Sequence, residues 1–182
     1  MNTIIVRNAT ARDSVFAKMI SDEMETSAIA RGSGISKRSP ASLIKKMKEG
    51  KAVIAVTDDD QWVGFSYIEI WSNGEFVSNS GLIVAPAYRG NGVAKQIKAK
   101  VFELARILYP QAKVFSITTG LSIMKMNAAL GFEPVTFNEI THEQKFWKGC
   151  KSCVNYNILT GKKCRNCLCT AMLYEPAALK GL

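Results

Sequence analysis

A mixed α/β fold, one sheet flanked by helices, follows from three observations in the chain. The predicted elements do not alternate regularly: a strand and two helices lead into a meander of strands, and strand–helix units follow. Asn73-Gly74 separates two runs of β-forming residues. That marks an antiparallel hairpin, because both central residues of the tight turn need positive φ. Gly90 and Gly92 stand between a predicted strand and a strongly amphipathic segment, and around this turn the sheet is expected to become parallel.

Taken in order, Ile4–Arg7 reads as a short strand. Thr10-Ala11-Arg12-Asp13 resembles a capping box, and Val15, Phe16, Met19 and Ile20 recur at helical spacing, so a helix is expected to about Ala28. Arg31–Pro40, with two glycines, three serines and a proline, is a loop. A helix around Ala41–Glu49 ends at Gly50, Ala52–Thr57 is a strand, and Asp58-Asp59-Asp60 turns the chain. Trp62–Trp71 and Phe76–Val84 form the hairpin, and with Asn73 and Gly74 in its turn Glu69 lies opposite Ser78. The helix from about Gly92 to Tyr109 carries Val93, Ile97, Val101, Leu104 and Leu108 on one face, with Lys95, Lys98 and Arg106 outside it. Pro110 stops it. Val114–Thr118 is a strand, Ser122–Leu130 a helix closed by Gly131, and Phe132–Phe137 a strand. Residues 1–140 are read as the core, and 141–182 as a cysteine-rich segment with a final strand packed on it.

The 182 residues suit one domain, and the apolar share of 47% can bury a sizeable core. No apolar run approaches the ~20 residues of a membrane span. The N-terminal apolar run lacks a positive start and a cleavage site, so it reads as a strand, and the expected location is cytoplasmic. Net charge is +9, from 24 basic and 15 acidic residues, which favours anionic partners in general. The lysines Lys45, Lys46, Lys48, Lys95, Lys98 and Lys100 are scattered, as on solvated helix faces.

The stretch Ile83-Val84-Ala85-Pro86-Ala87-Tyr88-Arg89-Gly90-Asn91-Gly92-Val93-Ala94 carries most of the functional argument. Backbone N–H groups at a strand–glycine–helix junction, with the helix dipole behind them, suit a pyrophosphate. The bare pattern arises by chance in about one chain of this length in ten; its place between strand and amphipathic helix makes it informative. It is neither a Walker loop nor the dinucleotide fingerprint.

Val84-x-Pro86-x-x-Arg89-Gly90-x-Gly92-x-Ala94 resembles the acyl-CoA loop of the GNAT superfamily, and Asn127-Ala128-Ala129-Leu130-Gly131-Phe132 resembles the end of that family's second cofactor helix. The likeness runs from about Ile4 to Phe137. It implies a GNAT-like sheet, an antiparallel meander plus parallel strands, that binds acetyl-CoA or another acyl-CoA. Ile83 and Val84 would then face the pantetheine arm, and Arg89, Gly90, Asn91, Gly92, Val93 and Ala94 the pyrophosphate. Many relatives carry a thiolate-protonating tyrosine where this chain has Asn127, so Asn127 is expected only to orient the cofactor.

Acyl transfer to an amine requires a base, a polarised carbonyl and a protonated leaving thiolate. Glu69, within the apolar run Tyr67–Trp71, is the candidate base, and burial there would raise its pKa. Ser78 and Ser80 would share its face and order a water, and the Val84 N–H would polarise the carbonyl. Arg31, Lys37 and Arg38 are candidates to hold a carboxylate-bearing acceptor, since arginine binds carboxylates with two bonds. The loop Arg31–Pro40, with Phe146–Cys150, resembles a GNAT subgroup of bacterial arginine biosynthesis. That likeness implies an acetyl or succinyl transfer to the glutamate α-amine. His142 reads as a surface residue.

Cys150-x-x-Cys153 and Cys164-x-x-Cys167-x-Cys169 have the spacing of a structural zinc site. Either Cys164 or Cys169 would complete a set with Cys150, Cys153 and Cys167, and Asn155–Lys163 would form a ribbon loop tipped by Gly161. Typical GNAT domains have no such cluster. Two other readings stand beside the enzyme with a small-molecule amine substrate: a zinc-ribbon module binding nucleic acid, and a non-catalytic acyl-CoA sensor. The resemblance allows a homodimer, for which no residue argues.

Overall fold

The computed structural model describes residues 3–32 and 38–177. Seven strands and six α-helices occur among them, and the chain divides into two units: Met1–Ser27, Lys37–Glu69 and Asn79–Leu104 in one, Ala28–Ser36, Ile70–Ser78 and Ala105–Leu182 in the other.

In the first unit, strands β1 (Ile4–Asn8), β2 (Ala52–Thr57), β3 (Trp62–Trp71) and β4 (Phe76–Val84) are neighbours in that order. β1 pairs antiparallel with β2, and β2 with β3. Helices α1 (Ala17–Ala30) and α2 (Pro40–Lys48) supply Ile20, Met24, Leu43 and Met47 to a core shared with Ile54, Val56, Phe65, Tyr67 and Ile83. The capping box forms, with Thr10 N–H donating to Asp13 Oδ2 at 2.7 Å, but it opens a 3-10 turn, Ala11–Phe16, that leads into α1. Burial alone would push the Asp13 carboxyl up; the Arg7 guanidinium, with two 2.8 Å bonds, and the Thr10 N–H hold it below the usual carboxylate range. α2 starts on Ser39, whose hydroxyl accepts from Ser42 N–H at 3.2 Å, with Pro40 in the first turn.

Gly81 interrupts β4 with a φ of +64°. A Cβ there would lie 2.5 Å from Tyr67 Cε1 and 3.0 Å from Met24 Cε. Glycine thus supplies both the backbone conformation and the room for the Tyr67 ring.

Helix α3 (Val93–Leu108) differs from expectation at two residues. Lys98 is 3% exposed, not solvated. Val101 and Ala105, three and seven residues on, are fully buried, so Lys98 lies within the buried stripe, which is wider than the five apolar residues indicate. Leu108, placed in that stripe from sequence, is 44% exposed.

In the second unit the start of β4 pairs parallel with β5 (Lys113–Thr118), from Phe76↔Lys113 to Ser78↔Phe115. β7 (Thr170–Tyr174) lies antiparallel between β5 and β6 (Glu133–Val135). The other helices are α4 (Leu121–Ala129), α5 (Gln144–Lys148) and α6 (Tyr156–Gly161). Phe146 packs edge-on against Trp71, Phe115 and Trp147 at centroid distances of 5.2, 5.1 and 4.9 Å, a geometry aromatic quadrupoles favour.

Several boundaries shift from those read in the sequence. The hairpin turn is a 3-10 turn, Ser72–Gly74, with positive φ at Ser72 as well as Asn73 and Gly74; Glu143 accepts from Ser72 N–H at 2.8 Å and anchors it. The sixth strand is only three residues, because a capping box at Thr136 and Glu139 starts a 3-10 turn. The expected ribbon loop between the cysteine pairs is largely helix α6, which buries Leu159. The expected final strand forms as Thr170–Tyr174. No helix among the described residues is long and apolar enough to cross a membrane.

Candidate active site

The glycine turn is built as an open backbone cradle. β4 ends at Val84, a 3-10 turn covers Pro86–Tyr88, and Gly90 and Gly92 adopt φ of +84° and +75° before α3 begins at Val93. The Gly92 carbonyl accepts from Lys95 and Gln96 at 3.1 and 3.3 Å, which sets the first turn of the helix. Among the described residues, no N–H group from Gly90 to Ala94 donates a backbone hydrogen bond. A Cβ at Gly90 or Gly92 would meet nothing within 4 Å. Donors, open space and the positive end of a 16-residue helix therefore coincide. Arg89 is placed differently from a free anion ligand. Its Nε donates to the Val84 carbonyl at 2.9 Å, and one terminal nitrogen donates to Glu23 and Ser27 at 2.7 Å each. It ties the turn to α1 and to the end of β4. Ile83 and Val84 are buried.

Glu69 stands in an ion pair, not among apolar neighbours alone: Lys46 Nζ lies 2.5 Å from its Oε1, with the two side chains 12% and 30% exposed. Ser78 is buried and accepts a 2.9 Å bond from the Trp71 indole. Asn127 is fully buried, and its Nδ2 contacts Met172 Sδ at 3.6 Å. Arg38 donates to the Tyr67 hydroxyl and lies 5.9 Å from the centre of its ring. Burial pushes the Tyr67 phenol up, and the Arg38 charge and hydrogen bond oppose that. Arg31 is exposed, and Lys37 lies outside the described residues. His142 is exposed, as expected.

Two polar residues escaped the reading of the chain. Lys46, expected on a solvated face, has a side chain only 12% exposed and pairs with Glu69. Asn79 is 9% exposed, and neither its Nδ2 nor its Oδ1 has a partner among the described residues. A polar residue inside the β-forming run Phe76–Val84 was the available signal for Asn79.

All five cysteines are free thiols of intermediate burial. Cys150, Cys164, Cys167 and Cys169 pack against the aromatic cluster of the second unit. Asn155 N–H and Cys169 N–H donate to the sulfurs of Cys153 and Cys167 at 3.4 and 3.3 Å. Burial, with Cys167, Cys153 and Cys150 close by, pushes the Cys169 thiol up to about 12. No group of three or more His, Cys, Asp or Glu among the described residues is arranged to hold a metal ion, so the expected zinc gains no support from the placement of these thiols.

Residues 15–145 match the model of the acetyltransferase (GNAT) domain family, most of the chain's length. The chain belongs to the GNAT family. Its activity class is thereby acyl-CoA-dependent N-acyl transfer, and both the glycine turn and Asn127 fall inside the matched span, while the cysteines lie beyond it. No curated protein sequence matches significantly. Among solved structures, this GNAT chain is similar to Rv2747 from Mycobacterium tuberculosis, in complex with CoA and NLQ, with a TM-score of 0.66 and 20% identity over 94% of this chain and 98% of that one. It is similar also to N-acetylglutamate synthase from Neisseria gonorrhoeae, complexed with coenzyme A and N-acetyl-glutamate, with a TM-score of 0.66 and 15% identity. That match covers 97% of this chain but only 36% of the synthase. Diaminobutyrate acetyltransferase EctA from Paenibacillus lautus, in complex with L-2,4-diaminobutyric acid and coenzyme A, has a TM-score of 0.63 at 10% identity, covering 97% of this chain and 96% of that one. At these identities the likeness establishes the fold.

Proposed function

We propose that this GNAT protein transfers an acetyl or succinyl group from coenzyme A to the primary amine of a small, carboxylate-bearing acceptor such as glutamate. The observation that carries the cofactor reading is the run of undonated amides from Gly90 to Ala94 bordering open space. The neighbours bound to N-acetyl-glutamate and to diaminobutyric acid support an amino-acid acceptor.

In this reading the bound cofactor supplies an activated acyl thioester. The amides of Gly90, Asn91, Gly92, Val93 and Ala94 hold its pyrophosphate, and Arg89 keeps them in place by fastening the turn to Glu23, Ser27 and Val84. The backbone of Ile83 and Val84 faces the pantetheine arm, in the manner of a strand added to a sheet edge. Glu69 takes the proton that the acceptor ammonium must lose before it can act as a nucleophile. Lys46 fixes that carboxylate through Oε1. Asn127 has no acidic proton to give, so it orients the cofactor and does not protonate the departing thiolate. Arg31 and Arg38 bind the acceptor carboxylates; Arg38 comes to this role already positioned by Tyr67.

A thiol-release assay with acetyl-CoA and succinyl-CoA against a panel of amino acids tests the proposal. Release that requires glutamate is the expected result. Release with another amine alone removes glutamate as the acceptor, and none with any amine removes the enzyme reading. The cradle has its own test. Gly92→Val is expected to raise the Kd for acetyl-CoA by about tenfold or more in calorimetry, because a β-branched residue cannot hold the left-handed conformation that aims these amides. The protein should stay folded, since a Cβ at Gly92 meets nothing within 4 Å; unchanged affinity would place the pyrophosphate elsewhere.

A further inference from the structure

Asn79 follows Ser78, the last residue of β4 registered against β5. It is 9% exposed, and both of its side-chain polar atoms are buried without a partner. The other described orphans, Ser14 Oγ, Trp62 Nε1 and Asn127 Oδ1, are single atoms, and Asn127 keeps a contact through its Nδ2. Buried amides are almost always bonded, and leaving one without a partner opposes folding. Such a group persists where a partner arrives with a ligand. Strand alternation sets its direction. Trp71 donates to Ser78, so Ser78 shares a face with Trp71, and Asn79 and Val77 lie on the opposite face of β4.

We infer that Asn79 is a binding residue for the acyl-CoA arm, with Nδ2 donating to a pantetheine carbonyl and Oδ1 accepting from a pantetheine N–H. This rests on the acyl-CoA reading above. A carboxamide carries donor and acceptor side by side, and the two amides of the arm offer both complements. Acetate, phosphate or an ammonium group would satisfy only one of the two atoms. The strand that bears Asn79 also leads to Ile83, Val84 and the glycine turn, so one extended ligand can engage all three in chain order.

The test is calorimetry with CoA and with 3′-phosphoadenosine 5′-diphosphate, which keeps the nucleotide and pyrophosphate but lacks the arm. Asn79→Leu should weaken CoA about tenfold or more, leave the fragment unchanged, and hold or raise the Tm of the free protein. Asn79→Asp keeps the shape and the acceptor but loses the donor. It should weaken CoA alone in the same way. Unchanged CoA affinity in both variants overturns the inference. So does a marked fall in the free protein's Tm, which would reveal an internal partner for the amide. Equal weakening of CoA and the fragment would overturn the assignment to the arm. If the wild type binds neither compound, the acyl-CoA reading itself fails, and the inference with it.

Discussion

Glu69→Gln is expected to lower kcat by about a hundredfold, in keeping with the usual contribution of a general base, while leaving the KM for acetyl-CoA within about twofold. The substitution preserves size and hydrogen-bonding capacity but removes the site that accepts the proton. Lys46 supplies the control. Its Nζ lies 2.5 Å from Glu69 Oε1 and its side chain is only 12% exposed, so Lys46→Met frees the carboxylate without removing it. If Glu69 is the base, Lys46→Met retains most of the turnover, whereas Glu69→Gln does not. If Glu69 only ties α2 to β3, the two variants lose comparable stability and comparable activity, and neither loss is confined to kcat. Steady-state kinetics beside thermal melts separates these cases.

Lys98→Met is expected to raise the unfolding free energy on the order of 3 kcal/mol at pH 6. Burial pushes the Lys98 amine from an ordinary 10.5 down to about 7. At ~1.4 kcal/mol per pH unit, that displacement opposes folding by roughly 5 kcal/mol when the group is charged in both states. The smaller figure allows for contacts of the amine that methionine loses. The direction with pH follows from proton counting. Between about 7 and 10.5 the unfolded chain holds a proton that the folded chain has released, so the contribution of this lysine to stability rises with pH across that window. Below about 7 its cost is fully present; above 10.5 it is gone. Urea unfolding of both proteins from pH 6 to 10 should therefore show a large difference at pH 6 that shrinks towards pH 10. A constant difference would mean that Lys98 acts by packing and not by charge.

The same lysine marks how far the chain could be read. Its neighbours Val93, Ile97, Val101 and Leu104 announce a helix and its inner face, because apolar spacing is written locally. Whether that face is wide enough to take in Lys98 depends on what packs against it, and no spacing within the helix records that. Strands β2, β3 and β4 fall where their β-forming runs and the Asn73-Gly74 pair place them. The 3-10 form of the turn also involves Ser72, held by Glu143 seventy-one residues away, a contact outside any local window. Around the cysteines the spacing between pairs was read as a loop. Yet Leu159 had a hydrophobic cluster to enter, and helix α6 formed to bury it.

By itself the sequence determined the family-level architecture, the order of nearly all elements and the position of the glycine cradle. Each of these rests on residues close together in the chain: turn glycines with positive φ, alternating β-formers, apolar residues at helical spacing. Only the tertiary structure decided which polar groups are committed and which are not. It turned Arg89 back onto α1, paired Glu69 with Lys46, set Arg38 on Tyr67 and left Asn79 without a partner. A hydrogen bond depends on atoms within about 3 Å of each other, and residues that close in space here are separated by as many as 71 positions in the chain.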